Sequence, residues 1–210
     1  MYPIPYQPRV PGGGIPFHKK EWIEVDLYPP DDKRDRRPES RTIDLQSVKV
    51  LEKVDDEVVK KVIAPHVSAN IAAIDASGAS LGFIKPDIQN YALNMISTEV
   101  RDEQLRITED GIGEQDMIKL KQESYYYFNC QEPTGCSCAN QPHKMEIHDW
   151  EVNELYRNVV SRTKDRDEIY EKMRWKWFDW MKNERDTYFM MGTHHRWHNW
   201  LVVSVLYLRK

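Results

Sequence analysis

Eight of the chain's twelve prolines stand in its first 38 residues, in MYPIPYQPRVPGGGIPF and YPPDDKRDRRP. Proline fixes φ and offers no backbone N–H, so a stretch this dense in Pro and Gly builds neither a helix nor a sheet ladder of its own. Residues 1–45 therefore read as an extended arm, with the apolar side chains of Ile4, Tyr6, Ile15, Phe17, Trp22, Ile23 and Val25 set like pegs between the prolines. Such an arm gains order by lying on a neighbouring surface. Tyr2, Tyr6, Phe17 and Trp22 are the anchors expected to hold it there. The mixed-charge run at 31–41 (DDKRDRRPESR) reads as a solvated hinge.

The rest of the 210 residues, 46–210, amounts to about one domain. A formal charge of −4 gives no basic excess of the kind that binds nucleic acid without regard to sequence. No apolar run reaches the length of about 18 residues needed to cross a bilayer, and the first residues lack the pattern of a secretory signal. The expectation is a soluble or peripheral protein. Its compartment is left open between an intracellular complex, such as a mitochondrial one, and a virion.

Hydrophobic spacing points to a mainly α fold. Asp55 and Asp56 suit a helix start, and Val58, Val59, Val62 and Ile63 mark one face before Pro65 ends it. A short helix with Val67, Ile71 and Ile74 follows, then a loop at 76–82. Ile88, Tyr91, Ala92, Met95, Ile96 and Val100 recur at steps of three, one, three, one and four, which predicts an amphipathic helix over 86–106. From 146 to 191 there is neither proline nor glycine. Val152, Tyr156, Val159, Thr163, Arg166, Tyr170, Met173, Trp177 and Trp180 alternate steps of four and three, the spacing of a long helix packed along its length. The domain is thus expected to be helical, with a long C-terminal amphipathic helix and an irregular cysteine-bearing loop at 129–145.

That loop holds all three cysteines, Cys130, Cys136 and Cys138, with His143 close behind. An odd, clustered count argues against a secreted disulfide framework. Three thiols and an imidazole can close a tetrahedral zinc site, and Pro133 with Gly135 would supply the turn. The spacing C-x5-C-x-C-x4-H is not one of the common structural-zinc patterns, so reduced, structurally placed thiols are the plainer reading, with a single disulfide from Cys130 to Cys136 or Cys138 as a third. His194, His195 and His198 form a second cluster but lack the H-E-x-x-H arrangement of zinc proteases.

Aromatic residues carry the remaining signal. Tyr125, Tyr126, Tyr127 and Phe128 cannot all face one core, so some must meet a second surface. Six of the seven tryptophans follow residue 149. Trp175, Trp177 and Trp180 surround a helix there, and Trp197 and Trp200 precede the apolar tail 201–208. Trp, Tyr, Met and Arg are enriched at protein interfaces, so these five tryptophans are expected contact residues. The tail reads as a buried edge strand or a final helix, and 194–210 could instead touch a membrane surface.

No nucleophile elbow, phosphate-binding loop or di-iron spacing is present. The sequence therefore leads to a non-catalytic structural or accessory subunit of a large assembly, with other protein subunits as partners. A peripheral subunit of a membrane-bound organelle complex is the first setting, a connector or capsid-cement protein of a virus or phage particle the second, and a small zinc-binding module the alternative class.

Overall fold

A computed structural model describes residues 17–30, 37, 39–95, 122–193 and 199–210. Two compact units divide them, one up to Val62 and one from Ile63 onward.

In the first unit, β1 (Glu21–Glu24) pairs antiparallel with β4 (Lys49–Lys53), and β2 (Leu27–Tyr28) with β3 (Thr42–Ile43). Residues 21–28 of the expected arm are thus laddered to their own chain. Lys20, at φ 66°, turns the backbone into β1, and its carbonyl accepts from the Val54 N–H at 2.8 Å. The Asp55 carboxylate accepts from the Val58 N–H (2.9 Å) at the start of α1 (Asp56–Ile63), as the acidic pair at that position predicts. All five residues of β4 are exposed.

The second unit is built on two sheets. β5 (Val67–Ser68), β6 (Leu81–Ile84), β10 (Arg185–Thr193) and β11 (Trp200–Arg209) form one, in the order β11-β10-β6-β5. β7 (Pro86–Met95), β8 (Gln122–Cys130) and β9 (His143–Glu146) form the other. β8 buries every second residue, Gln122, Ser124, Tyr126, Phe128 and Cys130, so the aromatic run splits between two faces as expected. Tyr126 stacks on Phe189 of β10 at 4.7 Å between ring centroids, and Phe128 meets the same ring edge-on at 5.1 Å. A parallel bridge from Ile147 to Val202 joins the two sheets beyond β9.

Short helices cover this core: α2 (Ile71–Ala76), α3 (Trp150–Val160) and α4 (Arg166–Arg174), the last running through a π-helical segment Trp175–Trp180 into α5 (Met181–Glu184). They also close sheet edges. Lys182 Nζ donates to the Ile88 carbonyl at 2.8 Å and the Tyr170 hydroxyl to the Tyr91 carbonyl at 3.3 Å, both along the outer edge of β7. At the edge of β11, the buried Asp149 carboxylate accepts from the Val205 N–H (2.7 Å) and the Ser204 hydroxyl (2.8 Å), while its other oxygen caps α3 through the Glu151 N–H (2.8 Å).

The mainly α expectation is overturned: the described residues hold eleven strands in four sheets, and the helices are short. The stretch from 86 that was expected to be helical is β7 as far as Met95, and 96–121 lie outside the described residues. A bulge between Ile88 and Asn90 inserts one residue, so Ile88 and Tyr91 face the same side three positions apart and imitate a helical step. The long helix over 146–191 does not exist. It stops at Ser161, restarts behind the N-cap Asp165, which accepts from the Asp167 and Glu168 N–H groups, and gives way to β10 at Arg185. The tail is an edge strand, one of the two forms expected for it.

Asp149 is the most exposed to test, because one carboxylate both caps a helix and satisfies a strand edge. Asp149→Ala should lower the unfolding free energy by about 3 kcal/mol, the loss of a cap plus charge-assisted bonds to buried donors. Denaturant titration monitored by far-UV circular dichroism checks this, and Asp149→Asn should fall in between.

Candidate metal centre

The loop between β8 and β9 is irregular, yet it is held at several points. Gly135, at φ 77°, takes the third position of a tight turn that the Cys136 N–H closes onto the Pro133 carbonyl at 2.9 Å, so the Pro-Thr-Gly-Cys run forms the turn its residues suggest. A 3-10 turn over Ser137–Ala139 then reverses the chain toward β9. From the other side, buried Asn70 caps α2 through the Ala73 N–H (2.8 Å), and its amide donates to the Glu132 and Thr134 carbonyls at 2.8 and 3.2 Å. The loop is thereby pinned to the start of α2.

These constraints bring Cys130 from the end of β8, Cys136 and Cys138 from the loop and His143 from the start of β9 to one point. Their donor atoms all lie within 4.8 Å of one another. The Cys130 and Cys136 sulfurs are 3.9 Å apart, and the Cys136 sulfur is 3.2 Å from His143 Nε2. For tetrahedral zinc, bond lengths of about 2.3 Å to sulfur and about 2.0 Å to nitrogen imply edges of roughly 3.8 Å and 3.5 Å. Both measured edges lie within a few tenths of an ångström of these. All three thiols are buried and His143 is half-buried, against the Phe128 ring. The cysteines are free thiols. The four residues singled out by their types are therefore one buried Cys3His cluster able to hold a metal such as zinc, despite their unusual spacing.

The sulfurs sit among N–H donors. The Cys130 N–H donates to the Cys138 sulfur at 3.4 Å, and the Ile71 and Ala72 N–H groups, in the first turn of α2, face Cys130 and Cys136. Burial pushes the Cys130 thiol well above its usual range, reinforced by the neighbouring thiols. Burial also opposes ionisation of Cys136, but the Cys138 N–H, the Cys138 thiol, the Ala72 N–H and the Cys130 thiol outweigh it, and this thiol lies below its usual value. Burial lowers the His143 pKa, which favours the neutral imidazole that a metal needs. The contribution of α2 lies some sixty residues upstream and was missed from sequence. Its one signal was Asn70 ahead of an Ile-Ala-Ala-Ile run, an N-cap pattern.

The expected contact residues scatter. Trp177, at 1% exposure, and the half-buried Trp180 and Trp200 pack in the core of the second unit, whereas Trp175 is 58% exposed. Trp180 lies between the Lys176 ammonium (3.5 Å from its centroid) and the Arg185 guanidinium (4.2 Å). In the first unit Trp22 is exposed and Phe17 half-buried. Tyr2, Tyr6, Trp197 and the histidines 194, 195 and 198 fall outside the described residues. No helix among the described residues is long and apolar enough to cross a membrane.

A protein-family model described as Domain of unknown function (DUF8757) matches residues 66–210, which include all four donors and the α2 start behind them. No curated protein and no solved structure matches the chain.

Metal affinity should rise with pH. Protons held by the thiols, Cys130 above all, compete with the metal, while burial favours the neutral His143 imidazole and lessens its share of that competition. Raising the pH from about 6 to about 8 should tighten zinc binding by tenfold or more and release protons on binding, as competition titration against a chromophoric chelator in two buffers of different ionisation heat will read.

Proposed function

We propose that this chain, which belongs to the DUF8757 family, is a non-catalytic subunit of a larger assembly, its matched region stapled by a structural zinc ion at Cys130, Cys136, Cys138 and His143. The observation that carries this reading is that four protein donors converge, three buried thiols and one half-buried imidazole. A tetrahedral ion held by four side chains keeps no position for water or substrate, which separates structural zinc from catalytic zinc. Three thiolates and a neutral imidazole around Zn²⁺ carry one net negative charge, and the N–H groups of Ile71, Ala72, Cys130 and Cys138 stand where they offset it.

The assembly half of the proposal draws on the first unit. Six of the eight large hydrophobic side chains most exposed in the described chain, Trp22, Leu27, Tyr28, Val50, Leu51 and Val62, belong to it. Its strands form two-stranded ladders, which are marginal in water by themselves. A peripheral place in a membrane-bound organelle complex remains the first setting, with a virus or phage particle the second. The apolar side chains Val202, Val205 and Leu208 of the tail are already occupied in the core.

Native mass spectrometry of the chain purified gently from its source should find one zinc per chain and partner subunits. A chain that arrives alone would overturn the assembly reading, and one without metal the zinc reading. With recombinant protein, cobalt substitution should give the intense visible absorption of a tetrahedral thiolate site, and Cys136→Ser should lose stoichiometric zinc and lower Tm by roughly 10 °C, the effect of several kcal/mol in a domain of this size.

A further inference from the structure

The surface of α3 and α4 points to a partner of definite chemistry. Leu155 and Val159 of α3 floor an open apolar groove, Trp175 walls it, and Arg162, Glu171, Lys172 and Lys176 rim it. We propose that this groove is the docking site for an acidic segment of a partner protein that carries apolar anchor side chains. The proposal deepens the assembly reading above and rests on it.

Trp175 opens the π-helical segment, and at 58% exposure it is the most exposed large hydrophobic side chain among the described residues of the second unit. Its neighbours in sequence, Trp177 and Phe178, are buried, so the helix turns Trp175 outward over Glu171 and Lys172, one turn back. An exposed tryptophan beside an aliphatic floor is the composition of an interface hot spot. The rim decides the partner. It sets three cations against Glu171 and the Glu168 carboxylate that pairs with Lys172, a local excess of positive charge on a chain whose formal charge is −4, so it departs from the sign of the molecule as a whole. Arg162 has no side-chain partner among the described residues. Lys172 is paired with Glu168 at 2.6 Å, and Lys176 is held over the Trp180 and Tyr207 rings at 3.5 and 4.5 Å. Both ammonium groups are thus fixed at the edge of the groove. A basic segment would be repelled, and a neutral apolar one would leave Arg162 without a counter-charge. An acidic segment with leucine-like anchors satisfies floor and rim together.

The test uses the zinc-loaded full chain and a fluorescein-labelled peptide of about fifteen residues, with Leu at i, i+3, i+4 and i+7 and Glu elsewhere, read by anisotropy. The acidic peptide should bind at least about tenfold more tightly than the same peptide with Lys for Glu, and Trp175→Ala and Arg162→Glu should each weaken it at least about tenfold. Both side chains are exposed, so Tm and zinc content should match the unsubstituted chain. Absence of binding, equal binding of the lysine peptide, or indifference to both substitutions overturns the proposal. So does tighter binding to phosphatidylserine vesicles that the same substitutions abolish, which would make the groove a lipid surface. A chain that binds the peptide but is isolated from its source without partners overturns the assembly reading alone. One isolated with partners that ignores the peptide overturns the groove alone.

Discussion

Phe189 lies against two rings of β8, stacked on Tyr126 and edge-on to Phe128, and the second unit is organised around that contact. All three side chains are fully buried, and Tyr91 adds an edge-to-face contact with Tyr126 at 6.1 Å. Rings of this size contribute roughly 1.5–3 kcal/mol each by burial and about 1 kcal/mol more per well-oriented pair. Because the contact joins two sheets, it also sets register. A slip of β8 by one residue would turn Tyr126 and Phe128 to solvent and Tyr125 and Tyr127 inward. Cys130 lies on the same inward face, four and two residues on. The register that packs the rings is therefore the register that delivers the first thiol to the metal centre.

The same face of β8 carries polar residues at its other end, and they are satisfied in sequence. The Gln122 amide donates to Asn153 of α3 at 2.9 Å, Ser124 donates to Gln122 at 2.6 Å, and the Tyr91 hydroxyl meets Ser124 at 2.8 Å. A chain of this kind links β7, β8 and α3 by bonds that only one arrangement satisfies, so it specifies the fold more than it stabilises it. Between the two ends, the Tyr126 hydroxyl donates to the Trp177 carbonyl at 2.6 Å, inside the π-helical segment. A side-chain donor entering a helical ladder is a recognised companion of such widening. The wide turn is also where the buried Trp177 and the exposed Trp175 part company, so one hydrogen bond connects the core to the groove.

What the sequence made legible, and what it hid, follows from these elements. The metal donors were readable because their types and proximity are local facts, and the Pro133 to Cys136 turn is written in its residues. The helix at α1 was readable from Asp55 and its apolar face. The two long helices were misread for separate physical reasons. In β7 a bulge shifts the alternation by one and produces spacings of three, which belong equally to a helix. Over 146–191, a repeat of three and four runs straight through Asp165 and Glu168, a pair spaced like a capping box and therefore a start signal. Beyond it, Thr187, Phe189 and Met191 alternate into the core with period two, a pattern hidden by the absence of any Pro or Gly before it. The α2 contribution to the metal centre was out of reach, since nothing local in Asn70 announces a loop sixty residues away.

A metal would have a definite structural role at the Cys3His cluster. The connection at 131–142 has no ladder to hold it and no apolar side chain of its own large enough to anchor it, and a loop of this length costs entropy to order. Hydrogen bonds from Asn70 and the Gly135 turn fix part of it. They leave three thiols buried with only N–H groups, each other and the His143 imidazole for company, which is weak compensation for sulfur removed from water. An ion with four bonds would supply at one point what an apolar core supplies over an area, and it would tie the end of β8 to the start of β9 at the loop that joins them. The aromatic contact at Phe189 holds the strands in register from one side, and a metal on the Cys3His cluster would hold them from the other.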